Sequence, residues 1–305
     1  MADDLALITL GRWLVARRYR FVTPTPATHA RVNARPVNAW ARGAEAHGVE
    51  DVLGWSRPFR PGSLPEVEHL LDAGGALIRD GAWLRSAVRC STLDEPRAIF
   101  VHSAFPTHDA ASVFFGPDTY RFVAALRRVL RPARRLVDVG CGCGAGGLAV
   151  RDRAEQIVLA DINPGALRLA RINAALAGAE VELVESDVLA GVDGQVDAII
   201  ANPPYLADRE RRTYRDGGGE LGIGLSVRIV RDALARLAPG GQLVLYTGSP
   251  VIDGAHPLRD ALAPLIDGRA HHWDELDPDV FGEELDAAPY DRVDRIAVVT
   301  LVVDT

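Results

Sequence analysis

From position 136 onward two hydrophobic rhythms alternate along the chain. Residues 136–140, 156–162, 181–184, 196–201 and 242–246 form short runs rich in β-branched and other apolar residues. Runs of this length, apolar on successive positions, fit strands buried on both faces. Between them lie longer stretches with apolar residues three or four apart, as in Leu167, Ala170 and Ala174, in 225–237 and in 258–266, the period of one helix face. Asn163-Pro164 supplies an N-cap and a first-turn proline, Gly178 a stop, and Pro239-Gly240-Gly241 another stop. Two further strands are predicted at 269–273 and 295–303. Strands alternating with crossover helices predict an α/β fold with a parallel, doubly wound sheet. Such sheets bind ligands beyond the carboxyl ends of their strands, at the switch point.

The first 115 residues lack this alternation. Spacing predicts helices over 13–19, 39–47 and 64–73 and strands over 76–78, 83–88 and 98–102, with Asp80-Gly81 as a hairpin turn. The expectation is a smaller α+β, winged-helix-like N-terminal domain over 1–115, joined near 109–117 to a nucleotide-binding domain over 116–305.

Composition narrows the class. The 305 residues are 48% hydrophobic and 25% charged, which excludes a disordered chain. All 34 basic residues are Arg, a bias that suggests GC-rich coding and a bacterial source. Three Cys, two of them in one glycine loop, cannot build a disulfide framework, so a cytoplasmic location is expected. No apolar run approaches the length of a membrane span, and the start has no cleavable signal pattern. Charge is uneven: 13 Arg face 12 acids in 1–115, and 21 Arg face 29 acids in 116–305. The acidic larger part argues against non-specific nucleic-acid binding.

The candidate chemistry begins with Asp138-Val139-Gly140-Cys141-Gly142-Cys143-Gly144-Ala145-Gly146-Gly147, which follows a strand and opens a helix. Gly142, Gly144 and Gly147 satisfy G-x-G-x-x-G, where missing side chains let backbone approach a nucleotide. Asp161 ends the next strand, at the spacing where a carboxylate accepts ribose hydroxyls. An acid at 138 is awkward beside a pyrophosphate and suits a ligand with a cationic amino group. The Cys-x-Cys within the loop is too few ligands for zinc, and no metal site is expected.

On these residues the chain resembles the class I S-adenosylmethionine (SAM)-dependent methyltransferases, whose D-x-G-x-G-x-G matches 138–144. The resemblance spans roughly 116–305 and implies a seven-stranded Rossmann-like sheet. It implies that Gly140, Gly142 and Gly144 wrap the methionine part of SAM. Asp161, with neighbouring Ile162, would hold the ribose, and Asp187-Val188 would lie beside the adenine amine. Asn202-Pro203-Pro204-Tyr205, directly after a strand, looks like the N-P-P-Y signature of enzymes that methylate planar nitrogens. Such a nitrogen is a poor nucleophile. The Asn202 side-chain oxygen and the Pro203 carbonyl can accept its N–H bonds, the prolines stiffen that backbone, and Tyr205 can pack against the planar group. Val113-Phe114-Phe115-Gly116-Pro117-Asp118-Thr119-Tyr120 resembles the P-x-x-D-T stretch lining the cofactor pocket in relatives of the glutamine methyltransferases. There Asp118 serves as helix cap or cofactor contact, beside Thr119.

The expected activity is SAM-dependent N-methylation of a macromolecule linked to translation, with the N-terminal domain recruiting it. Two acceptors compete: a protein glutamine amide, as in the release-factor and ribosomal-protein enzymes, and an RNA base amine. The acidic catalytic part favours protein or a small molecule, whereas the loop Arg209, Arg211, Arg212 and Arg215, followed by Gly217-Gly218-Gly219, would favour RNA or act as a lid. The chain departs from the release-factor enzymes in its N-terminus and in the 115–119 stretch. Other classes are an NAD-binding oxidoreductase, which leaves Asn202–Tyr205 unexplained, and a non-catalytic SAM-binding protein.

Overall fold

A computed structural model describes residues 3–38, 46, 48–93, 98–107, 109, 111–208, 210, 212, 214–286 and 288–305. Its centre is a seven-stranded sheet. The strands are β5 (Ala133–Val139), β6 (Ala154–Asp161), β7 (Glu182–Glu185), β8 (Val196–Ala201), β9 (Leu237–Val251), β10 (Ala270–Asp277) and β11 (Arg295–Asp304), in the order β10-β11-β9-β8-β5-β6-β7. Pairs from β7 to β9 are parallel, and β11 is antiparallel to both β9 and β10. The sheet is therefore not wholly parallel as expected. Among the described residues only a three-residue 3-10 turn, Gly282–Glu284, lies between β10 and β11, and without a long crossover the chain returns in the opposite sense.

The chain leaves β5 for β6 and β7 on one side, then returns to β8 on the other side of β5. That reversal puts the switch point between the carboxyl ends of β5 and β8, where Gly140 and Asn202 follow.

Strand alternation divides the core. Val137, Val139, Val158, Ala160, Ile199 and Leu243 point to the face covered by α8 (Gly224–Arg236) and α9 (Pro257–Ile266). Leu136, Leu159, Ile200 and Val244 point to the opposite face. That face packs against α5 (Pro117–Val129), α6 (Ala145–Ala149) and α7 (Pro164–Ala177). Helix α7 follows its predicted signals: the Asn163 side chain accepts the Gly165 N–H at 2.9 Å, Pro164 opens the helix, and Gly178 closes it at φ +62°.

The N-terminal segment joins this second face. It contains α1 (Asp4–Ala16), α2 (Pro26–Ala34), α3 (Val49–Leu53) and α4 (Pro65–Ala73), then antiparallel β1 (Leu77–Asp80) and β2 (Trp83–Ser86), and β3 (Val88–Leu93) with β4 (Ala98–Ser103). The predicted helix at 13–19 begins at Asp4, because Leu7, Leu10 and Leu14 form a buried stripe and Asp3 caps it, accepting the Leu5 N–H. Helix α2 was not expected; Thr25 caps it and Pro26 opens it within a Thr-Pro stretch that looks like loop. The run 83–88 ends at Ser86, and Val88 starts a second ladder rather than extending the hairpin. The predicted helix at 39–47 lies outside the described residues, apart from Ala46. The core containing Leu7 and Leu10 is continuous with Leu136 and Tyr246. Asn173 of α7, 1% exposed, ties the parts together: its Oδ1 accepts the Val101 N–H at 2.8 Å, and its Nδ2 donates to the Val101 and Cys143 carbonyls at 2.9 Å. Among the described residues no helix is long and apolar enough to cross a membrane.

Candidate active site

The carboxyl ends of β5, β6 and β8 open into one cavity of about 670 Å³. Asp118, Thr119, Asp138, Gly140, Gly142, Asp161, Ile162, Asp187, Val188, Asn202, Pro203, Pro204 and Tyr205 all line it. Gly144 does not; at φ +81° it turns the backbone into α6, and a Cβ there would meet Leu159 at 3.1 Å. Its role is in the turn. Gly140, at φ +65°, has open space where a side chain would project.

Two buried acids organise the loop. Asp138 is 2% exposed and its Oδ2 accepts the Gly147 N–H at 2.7 Å. Burial pushes its carboxyl up to about 7, with the nearby Asp161 charge adding to the shift. A Cβ at Gly146 would lie 2.9 Å from that same Oδ2, so the glycines at 146 and 147 let the helix start sit on the carboxylate. Asp161 accepts the Gly142 N–H on Oδ2 and the Asn163 N–H on Oδ1, both at 2.8 Å. Burial raises its carboxyl too, against the lowering effect of these N–H donors. Asp161 thus holds the glycine loop against the end of β6.

Beyond it, Ile162 exposes 52% of its surface. Val188 adopts φ +55°, unusual for a β-branched residue, with its carbonyl receiving the Ser186 hydroxyl at 2.9 Å. Asp187 is not a free acid: both oxygens accept from Arg228 of α8, at 2.9 and 2.7 Å.

At the other end of the cavity, no described residue hydrogen-bonds the half-buried Asn202 side chain. Tyr205 is buried rather than presented face-on. Its hydroxyl donates to Asp118 Oδ2 at 2.6 Å, and its ring lies where a Cβ on Gly248 would be only 2.1 Å from Cδ2. Asp118 Oδ1 takes the Tyr246 hydroxyl at 2.8 Å and an Arg121 N–H at 3.4 Å. Asp118 is not the helix cap; Gly116 occupies that position, and the Thr119 hydroxyl accepts the Gly116 N–H at 3.2 Å.

The described arginines of the expected basic loop are neutralised. Arg212 pairs with Asp208 at 2.5 Å, and Arg215 pairs with Asp208 and with Glu284. Arg209 and Arg211 lie outside the described residues. Of the loop's glycines, Gly217 is packed: a Cβ there would meet the Gly222 carbonyl at 2.0 Å, and the Gly217 N–H donates to Leu206 O at 2.8 Å, whereas Gly218, at φ +68°, has open space where a side chain would project. Across the cavity, the Tyr214 hydroxyl donates to Thr107 O at 2.7 Å. Thr25, Pro26, Ala27, Phe105 and Pro106 bring the N-terminal segment into the same wall.

Sequence reasoning missed Arg228, Tyr246 and Gly248. Arg228 looks like a solvated helix charge and Tyr246 like strand core; only pairing across elements gives either a role.

The model of the methyltransferase small domain matches residues 119–251. The chain is 34% identical over 195 residues to a release factor glutamine methyltransferase of Deinococcus radiodurans, covering 58% of this chain and 66% of that one. It is 31% identical over 137 residues to a putative protein N5-glutamine methyltransferase of Methanocaldococcus jannaschii, covering 43% of this chain and 68% of the relative. The chain belongs to the methyltransferase small-domain family of SAM-dependent methyltransferases. A ribosomal RNA small subunit methyltransferase C of Chromohalobacter salexigens is 31% identical over 176 residues, which take in 57% of this chain and 47% of that protein. The matches thus span just under two thirds of the first of these relatives and under half of the ribosomal RNA enzyme. The cavity suits the family's cofactor. Gly140 leaves room for close approach, and the buried Asp138 and Asp161 match a ligand with a cationic amino group and ribose hydroxyls.

Proposed function

We propose that this chain transfers the methyl group of SAM to a planar nitrogen, and that its acceptor is a glutamine side-chain amide of a protein. The observation that carries the reading is Asn202. It lies at the carboxyl end of β8 beside the switch point, in the same cavity as the glycine loop, with its side chain unclaimed by any described residue. Bound SAM supplies an electrophilic methyl on a sulfonium. The chain's own residues then divide the work. Asp138 holds a cationic amino group, Asp161 the ribose hydroxyls, and Ile162, Val188 and Asp187 the adenine end. Gly140 and Gly142 admit the ligand to the backbone, with Asp118 and Thr119 in the wall. The Asn202 oxygen and the Pro203 carbonyl accept the N–H bonds of the acceptor and orient its lone pair. Tyr205, tied to Asp118, fixes that loop. The proton leaves the nitrogen after transfer, so no strong base is needed.

Charge supports protein over RNA. Among the described residues, Asp118, Asp138, Asp161, Asp187, Asp277 and Asp279 line the cavity, and the cations Arg121, Arg212 and Arg215 are each bound to an acid. Phosphates would meet little free positive charge among these residues. The wall supplied by Thr25–27 and Phe105–107 supports an N-terminal substrate-recognition domain over 1–115 working with the methyltransferase domain over 116–305. Free thiols at Cys90, Cys141 and Cys143 suit a cytoplasmic enzyme.

The test is labelled-methyl transfer into lysate from a strain deleted for the gene, followed by protease or RNase. Label lost only to protease is expected; label lost to RNase selects an RNA acceptor instead. Asn202→Ala should keep S-adenosylhomocysteine binding and lose transfer. Normal turnover in that variant would reject the alignment mechanism.

A further inference from the structure

The two edges of the central sheet are built differently. β7 is a strand of four residues with Glu182 and Glu185 at its ends, a short edge that is acidic at both ends. β10 is eight residues long, and none of them is buried. It pairs with β11 alone. On its other side the backbone N–H and C=O groups of β10 have no backbone partner among the described residues. A long edge of this kind is a template for another strand.

The residues on this edge are complementary to themselves. Counting outward from Trp273, His272 and His271 lie on one side, and Asp274 and Glu275 lie at the same distances on the other. If two copies of the strand pair antiparallel about a two-fold axis at Trp273, residue 272 falls opposite 274 and residue 271 opposite 275. Each of these contacts then joins an imidazole to a carboxylate, and Trp273 meets its own copy. Opposed residues of antiparallel strands share a face, where such pairs stabilise a ladder. The axis is specific. Moved to Asp274, it would set Trp273 against Glu275 and His272 against Leu276; moved to His272, it would set Ala270 against Asp274. Each acid also keeps an arginine of its own chain: Asp274 pairs with Arg128 at 2.6 Å and Glu275 with Arg295 at 2.7 Å. Their side chains remain 37% and 31% exposed, and a carboxylate has lone pairs for a second donor. The bulge between Glu275 and Asp277 ends regular pairing there, so the joined stretch is 271–275. The carboxyl end of β10 carries Asp277 into the cavity, and antiparallel pairing puts the two carboxyl ends, and so the two cavities, at opposite ends of the contact. We propose that β10 is a dimerisation edge: a second copy of this chain pairs with it antiparallel about Trp273 and joins the two central sheets into one. The inference stands apart from the methyl-transfer reading, since it needs neither cofactor nor acceptor.

The experiment is sedimentation velocity on the whole chain from about 1 to about 300 µM, where a small polar interface should show a monomer–dimer equilibrium with Kd of about 10–100 µM. Amide hydrogen exchange at 271–275 should slow over the same range. His272→Asp sets carboxylate against carboxylate across the two-fold, and Asp274→His sets imidazole against imidazole. Each variant alone should dimerise about tenfold more weakly. Mixed in equal amounts the two should regain wild-type association, because only a mixed pair restores an imidazole opposite a carboxylate. Neither residue lines the cavity. A wild-type chain that stays monomeric throughout overturns the proposal. So does a dimer that neither variant weakens, which would place the contact elsewhere. A mixture as weak as its components overturns it too, since the register would then be wrong. If a variant fails to fold, exchange in the wild-type chain decides, and protection at 271–275 that does not change with concentration overturns the proposal.

Discussion

Asp138 is the residue whose chemistry is most exposed to test. Its carboxyl is buried, receives one backbone N–H and titrates at about 7 in place of 3.8. Unliganded chain near pH 7 therefore carries Asp138 about half protonated. A ligand that seats a cationic group against it binds the ionised form, so binding drives the proton off. With the bound carboxyl held ionised, affinity should rise about fivefold from pH 6 to pH 7 and about twofold from pH 7 to pH 8. Proton release should be about 0.9 per site at pH 6 and about 0.5 at pH 7. The assay is calorimetry with S-adenosylhomocysteine in two buffers of different ionisation enthalpy, whose difference in apparent heat counts protons. Asp138→Asn should release none and bind weakly with a flat pH profile. The same shift sets a stability trend. The folded pKa is raised above the unfolded value, so the unliganded fold is favoured by this group below about pH 4. That contribution is lost as pH rises through 7, by roughly 4 kcal/mol in total. Asp138→Asn should therefore melt above wild type at pH 8 without ligand. Affinity independent of pH from 6 to 8, with no proton released, would refute the assignment of a cationic ligand group to Asp138.

Three further outcomes follow from contacts in the fold. Gly248→Ala puts a Cβ 2.1 Å from Tyr205 Cδ2, and Tyr205 is anchored on Asp118, so chemical unfolding should show a loss of about 1–3 kcal/mol. Asn173→Ala strands the Val101 N–H and carbonyl and the Cys143 carbonyl, and the urea midpoint should fall by the equivalent of about 2–4 kcal/mol; an unchanged midpoint would mean that the N-terminal segment is held by other contacts. Asp161→Ala frees the Gly142 loop and removes the carboxylate proposed to accept the ribose hydroxyls, and S-adenosylhomocysteine affinity should drop about 100-fold by calorimetry.

The alternation of apolar runs and helical spacing was enough to specify the α/β sheet, because buried parallel strands need continuous apolar residues and their crossovers need amphipathic helices. Short-range signals also sufficed for α7, whose cap, first proline and closing glycine act within one turn of the backbone. The glycine loop, Asp161 and Asn202–Tyr205 were legible for the same reason: each demands particular residue types at fixed local spacing. What the sequence could not show is which side chains meet across elements. Nothing local pairs Asp187 with Arg228, places the hydroxyls of Tyr205 and Tyr246 on one carboxylate, or cancels Arg212 and Arg215 with Asp208 and Glu284. The antiparallel β11, the early start of α1 and the hidden helix α2 belong to the same class. Each depends on burial against partners distant in sequence, and burial is a property of the packed chain alone. Residue identities thus determined the sheet and the chemistry gathered at its switch point. Tertiary packing decided which of those charges remain free to act, since an ion's value depends on the partner and the solvent it finds after folding.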